Sequence, residues 1–151
     1  MIKLDRVQLE IGSFALSDIS LDIHETDFFA LIGPTGSGKS LLLEGIMGLM
    51  PFTGGSLYLK GKDITGLPVE KRNLALVYQD FALFPHLDVT ANILYGVRYH
   101  NISSQIAEER LNRLVDTLGL EQIINRKPNS LSGGEKQRVA LARSLILNPE
   151  V

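Results

Sequence analysis

The sequence predicts an α/β fold with an antiparallel β subdomain at its start, a core of buried strands and a helical insert. Three observations carry that prediction. Apolar residues alternate early in the chain, at Ile2 and Leu4, then Val7, Leu9 and Ile11, then Ile19, Leu21 and Ile23, the period of half-buried strands. Residues 28–32 and 74–78 are unbroken apolar runs, as expected of strands buried on both faces of a sheet. From Phe81 onward the spacing becomes helical.

The elements follow in order. The first strand changes phase by one residue between Leu4 and Val7. Residues 41–50 read as a mostly buried helix stopped by Pro51. A turn at Thr53, Gly54 and Gly55 leads into a strand over 56–60, closed by Gly61, Lys62 and Asp63. Later, Ala107, Leu111, Leu114, Val115 and Leu118 share one helical face, with Gly119 as its left-handed terminator. A last helix is expected over 133–147, ending before Asn148 and Pro149.

Bulk properties narrow the function classes. A chain of 151 residues with 44% hydrophobic and 21% charged residues suits one soluble domain. A net charge of −2 gives no electrostatic reason to expect a nucleic-acid partner. With no cysteine, disulfides and thiolate metal sites are excluded. The longest uncharged stretch, 45–59, contains Pro51 and four glycines and is too short to span a bilayer. The first residues lack a signal-peptide plan. The expectation is a cytoplasmic chain whose link to a membrane runs through a partner.

Residues 33–40, Gly33-Pro34-Thr35-Gly36-Ser37-Gly38-Lys39-Ser40, fit G-x-x-x-x-G-K-[ST] at every fixed position, between an expected strand and an expected helix. Glycines let the backbone wrap a polyphosphate with its N–H groups turned inward, and the helix N-terminus adds a positive dipole end. Lys39 would reach the β- and γ-phosphates, the Ser40 hydroxyl would bind Mg²⁺, and the amide of Leu41 extends the cradle. The chemistry implied is binding of a nucleotide with Mg²⁺; which P-loop machine is left open by this motif.

A second helix start has the same character. Ser132 and Glu135 form an S-x-x-E capping box ahead of the apolar stripe Val139, Ala142 and Ile146. Capping does not require the consecutive Gly133 and Gly134, which strip side chains from the helix start and leave bare amides for a second anion. After the run at 74–78, Gln79 and Asp80 follow, then the apolar Phe81, Leu83, Phe84 and Leu87. From residue types alone Asp80 could be a Mg²⁺-binding acid after a strand. His86 stands alone, without a second ligand at useful spacing.

The run Leu-Ser-Gly-Gly-Glu-Lys-Gln-Arg at 131–138, followed by Val-Ala-Leu-Ala-Arg-Ser-Leu and Asn-Pro, resembles the signature of ABC ATPases, and with the upstream P-loop the pair is specific. The resemblance implies a P-loop NTPase of the ABC type, in which two subunits pair head to tail and each ATP lies between the P-loop of one and the signature of the other. It implies that Ser132, Gly133 and Gly134, with Gln137 on the next turn, face the γ-phosphate of ATP held by the partner's P-loop. Val-Tyr-Gln-Asp-Phe-Ala-Leu-Phe-Pro-His-Leu looks like the family's Q-loop. This makes Gln79, rather than Asp80, the contact for Mg²⁺ and the attacking water, with Lys39 its catalytic companion. Phe81, Leu83, Phe84 and Leu87 would face a membrane permease subunit, or else form a satellite core. The family's adenine-stacking aromatic falls at Ile11, with Phe14 close by; either Phe14 substitutes or adenine packs on an aliphatic side chain.

The resemblance further implies a β subdomain with P-loop core over 1–80, a Q-loop and helical subdomain over 81–131, and the signature helix with the start of another strand over 132–151. The rest of that strand, ending in the Asp and Glu that support Mg²⁺ and polarise water, is expected beyond Val151, as are strands lying between the two apolar runs. The P-loop as Gly-Pro-Thr-Gly-Ser-Gly-Lys-Ser-Leu and the run Phe-Ala-Leu-Phe-Pro-His-Leu-Asp-Val look like those of molybdate/tungstate importer ATPases, peripheral subunits at the cytoplasmic face. The alternatives are a non-catalytic nucleotide-binding module and an ABC ATPase unconnected with transport.

Overall fold

The computed structural model describes residues 2–151. They form two compact units, the first ending at Leu74 and the second running Ala75–Val151.

The first unit is built on a four-stranded antiparallel sheet of order β2-β1-β3-β4, with β1 at Ile2–Ile11, β2 at Phe14–Ile23, β3 at Gly54–Leu59 and β4 at Lys62–Asp63. The one-residue phase change is a bulge. The β1–β2 register shifts between Leu4 and Val7, and Arg6 sits at φ 48°. One extra residue re-aims the strand, so Ile2, Leu4, Val7 and Leu9 all turn inward. Ile2, Leu4 and Val7 meet Leu57, Leu59 and Ile64, and Leu42 and Ile46 from helix α1 at Lys39–Met47. This helix starts two residues before the expected 41. It ends at Gly48, in the left-handed region at φ 84°, rather than at Pro51. β3 likewise starts two residues early, at Gly54.

The C-terminus of α1 is closed by a side chain. Arg72 is 4% exposed and donates from Nη1 to the carbonyls of Gly45 (3.0 Å) and Ile46 (2.7 Å), from Nε to Leu67 (2.8 Å) and from Nη2 to Thr65 (2.8 Å). Helix-end carbonyls lack intrahelical donors, and a cation there also meets the negative end of the helix dipole. Burial pushes the Arg72 guanidinium pKa down from its usual value.

The second unit is helical: α2 at Val89–Leu94, running on into a 3₁₀ turn at Tyr95–Tyr99, α3 at Ser104–Leu118 and α4 at Gly133–Leu145. Asp88 and Ser103 cap α2 and α3 by accepting from the amides of Ala91 (2.7 Å) and Ile106 (3.3 Å). The expected face of α3 packs inward, and Gly119 ends the helix at φ 61°. Val89, Ile93, Leu120, Ile123, Leu131, Val139, Ala142 and Ile146 form the core. α4 stops at Leu145, two residues short of the expected end.

The two apolar runs are a correction. Neither 28–32 nor 74–78 forms a strand. Phe28 is 99% and Ile32 94% exposed, and Val77 and Tyr78 are exposed as well. A strand buried on both faces needs ladder partners for its N–H and C=O groups, and the sheet includes neither run. Leu31 and Leu74 still pack partly on the first core. Ala75 donates its amide to the carbonyl of Val151 at 2.8 Å.

Replacing Arg72 with Met should destabilise the first unit by about 3 kcal/mol, because buried carbonyls lose charge-assisted donors. Arg72→Lys should recover less than half of that, since one ammonium cannot serve a fork of four acceptors. Urea unfolding followed by circular dichroism measures both; an unchanged midpoint for Arg72→Met would refute the anchoring role.

Candidate functional site

The loop over 33–40 folds around its own lysine. Lys39 Nζ donates to the carbonyls of Gly33 (2.8 Å) and Pro34 (2.7 Å) and lies 3.4 Å from Ser37 Oγ. The ammonium is thereby held at the start of α1, where the first amides of the helix, those of Lys39, Ser40 and Leu41, have no intrahelical acceptor. Gly36 (φ 83°) and Gly38 (φ 89°) take left-handed backbone that costs a side-chain-bearing residue roughly 1–2 kcal/mol. Gly38 is constrained twice, since a Cβ there would stand 2.8 Å from Leu16 Cδ2 and 3.0 Å from the ring of Phe14.

That contact places Phe14 beside the loop. Phe14 faces Ile11 across the turn joining β1 and β2, and both side chains are exposed. Of the two sequence candidates for a base platform, Phe14 offers an aromatic face next to the phosphate cradle, and Ile11 an aliphatic one at its side.

The donor set fits a polyphosphate: the free first amides of α1, a dipole end, an ammonium and the exposed hydroxyl-bearing Ser40, with no carboxylate in the loop. Among the described residues no group of three or more His, Cys, Asp or Glu could hold a metal. A magnesium ion here would be held mainly by phosphate oxygens and water, with the Ser40 hydroxyl as protein ligand, the coordination this ion favours.

In the second unit the capping box forms. The Ser132 amide and Oγ donate to Glu135 Oε2 at 2.6 and 2.7 Å, and the Glu135 amide donates to Ser132 Oγ at 3.4 Å. The Ser132 hydroxyl, and then its amide, hold the Glu135 carboxyl below its ordinary pKa. Buried Leu131 fixes the entry to the helix. Gly133 would bring an added Cβ within 4 Å of nothing, and Gly134 only to Arg138 Nη1 at 4.0 Å. Packing therefore does not ask for glycine at either place, although glycine weakens a helix by about 1 kcal/mol relative to alanine. What the glycines provide is an approachable, side-chain-free start to α4. Gln137, one turn on, is exposed.

Gln79 is exposed in a turn over 79–82, where the Phe81 amide donates to the Tyr78 carbonyl at 3.0 Å. Phe81 and Ala82 are both left-handed, at φ 64° and 44°. Phe81, Leu83, Phe84 and Leu87 are half-buried. Leu83 packs on the core, and Phe84 stacks with Tyr95 at 4.3 Å and edge-on with His86 at 6.1 Å. The segment is thus partly a satellite core.

Two residues that shape this site drew no notice in the sequence. Asn92, fully buried, accepts from the Phe84 amide (2.8 Å) and donates to the carbonyls of Phe84, Leu87 and Asp88. Arg143 donates from Nη1 to the Ala82 carbonyl (2.7 Å) and from Nη2 to that of Phe81 (2.9 Å), with its guanidinium 5.4 Å from the centre of the Phe84 ring. Burial lowers its pKa. Polar residues inside apolar helical stripes were the only signal. The loop, Ile11 and Phe14 belong to the first unit, and Gln79 with 132–134 and Gln137 to the second.

Comparison with known proteins agrees with these features. The family model described as ABC transporter matches residues 16–151. The molybdate/tungstate import ATP-binding protein WtpC of Pyrococcus abyssi is 44% identical over 151 residues, all of this chain and 44% of the relative. The maltose/maltodextrin import ATP-binding protein MalK of Escherichia coli K12 is 38% identical over 99% of this chain and 41% of its own length. The chain thus spans less than half the length of these relatives. Among solved structures, the dimeric ATP-binding cassette MJ0796 in a post-hydrolysis state with ADP and Pi superposes with a TM-score of 0.81, at 32% identity, over 99% of this chain and 71% of that one. The fold is that of ABC P-loop NTPases, and the chain belongs to the ABC transporter family.

Proposed function

We propose that this chain is the nucleotide-binding part of an ATP-hydrolysing subunit that energises an importer. The observation that carries this is a pair of glycine-bearing helix starts: one whose loop closes around Lys39, the other capped by Ser132 and bare at Gly133 and Gly134. One phosphate site needs only one such start. Two in one chain suit an ATP shared between copies, with the loop of one protomer meeting the signature of a second in a head-to-tail dimer.

In this reading Lys39 and the amides of 33–41 hold the phosphates, Ser40 and Gln79 bind Mg²⁺, and Gln79 orients the attacking water. Phe14, with Ile11, supports the adenine. Ser132, Gly133, Gly134 and Gln137 complete the partner's site. Lys39 neutralises charge that builds on the transferring phosphoryl group. The division into 1–80, 81–131 and 132–151 belongs to the same reading. So does the half-buried apolar 81–87 segment as the contact for an integral membrane permease, which would make the subunit peripheral at the cytoplasmic face. The 44% identity to a molybdate/tungstate importer subunit favours an oxyanion cargo over the sugar of the 38% relative.

Two experiments test this. Lys39→Ala should weaken binding of a fluorescent ATP analogue at least ~10-fold, through loss of a charge-assisted phosphate contact. Equal affinity in the variant would overturn the loop assignment. In the longer protein, Gly133→Asp and Lys39→Ala subunits should each be inactive alone. Mixed, they should recover partial phosphate release, since a heterodimer regains one intact site. No recovery in verified heterodimers would exclude the shared site.

A further inference from the structure

The turn that carries Gln79 has an unfavourable backbone. Phe81 and Ala82 are consecutive left-handed residues that bear a Cβ, a conformation that persists only when its surroundings hold it. Its one local main-chain bond runs from the Phe81 amide to the Tyr78 carbonyl. The carbonyls of Phe81 and Ala82 are both taken by Arg143, across 62 and 61 residues of chain. Arg143 has no rotational slack there, since its planar fork serves two acceptors at once while its guanidinium lies near the Phe84 ring. On the other side, α4 is fixed to the core through Val139, Ala142 and Ile146, and its capped N-terminus presents Ser132 and Gly133. Ser132 and Arg143 are eleven positions apart on one unbroken helix, about 16 Å.

We propose that Arg143 is a positioning residue: it fixes the turn bearing Gln79 to the signature helix, so that these two elements shift together when either engages nucleotide. The inference rests on the assignment of Gln79 and the signature made above. A helix is stiff along its length, so a displacement at Ser132 reaches Arg143. The two carbonyl bonds then hand it to the turn two to three residues from Gln79. Arg143 touches no reacting atom; it acts through the Gln79 turn.

Hydrogen exchange on the 151-residue chain tests the tie. Arg143→Gln should speed exchange of amides over 79–85 at least ~10-fold while α2 and α3 change less than about twofold. Arg143→Lys, with a cation but no fork, should fall between. Unchanged exchange at 79–85 overturns the tie, and so does equal acceleration throughout the unit. Coupling is tested by turnover in the longer protein, with active sites counted by nucleotide binding. Gln79→Ala and Arg143→Gln should each lower kcat, and the double variant should be no worse than Gln79→Ala alone, because both remove one function. Multiplicative losses would show that Arg143 acts elsewhere and overturn the inference while leaving Gln79 in place. Full activity in Gln79→Ala would instead overturn the Gln79 assignment, and the coupling with it. Unchanged binding of the ATP analogue by Lys39→Ala is a separate failure, that of the loop assignment.

Discussion

Main-chain carbonyls at helix ends and in tight turns need donors, and in this chain guanidinium groups supply several of them, Arg110 at the Ile146 carbonyl that ends α4 among them. Arg72 gathers four carbonyls around the end of α1, and Arg143 two in the turn after Gln79. Both anchors sit one element away from a segment of the candidate site. Arg72 fixes the C-terminus of the helix whose N-terminus carries Lys39, and Arg143 sits on the helix whose N-terminus carries Ser132. Each helix can carry glycine at its start, Gly38 before α1 and Gly133 and Gly134 in α4, because its apolar face is held in a core.

Much of the fold was readable where local chemistry sufficed. The bulge in β1 showed as a shift in alternation, the face of α3 as a helical repeat, and the cap of α4 as Ser132 and Glu135 three residues apart. Each is decided within a few residues. The runs at 28–32 and 74–78 were misread because burial on two faces is a property of neighbours rather than of the run itself. Phe28 and Ile32 have the composition of a central strand and the exposure of a loop. The helix after the phosphate loop was placed late for a related reason. Lys39 and Ser40 are polar, and their helicity comes from the loop they close.

The candidate site divides the same way. Residues 33–40 and 131–138 were visible because their glycine pattern has a chemical purpose that few alternatives share. Phe14 was one of two possibilities, and its ring against Gly38 gives it the better position. Asn92 lies in no motif, and the signature run that contains Arg143 does not give its partners, since nothing in a sequence marks which distant carbonyls a side chain will meet. Their effect is to hold the segment after Gln79 in shape, with Asn92 bonding the backbone from Phe84 to Asp88 and Arg143 the two residues before Leu83.

Carbonyl oxygens do not titrate, and this sets how acid acts on the molecule. As pH falls, Arg72 and Arg143 keep both their charge and their partners, so these anchors are indifferent to acidification. The sensitive places are the two carboxylates with lowered pKa: Glu135 on Ser132, and Asp63, which accepts from the hydroxyl and amide of Thr65 at 2.6 and 2.8 Å. A carboxylate with a depressed folded-state pKa contributes stability above its unfolded value, roughly pH 4, and loses that contribution as pH drops through the folded value. Acid therefore loosens the cap of the signature helix and the β3–β4 hairpin first, while the end of α1 and the turn after Gln79 stay fastened.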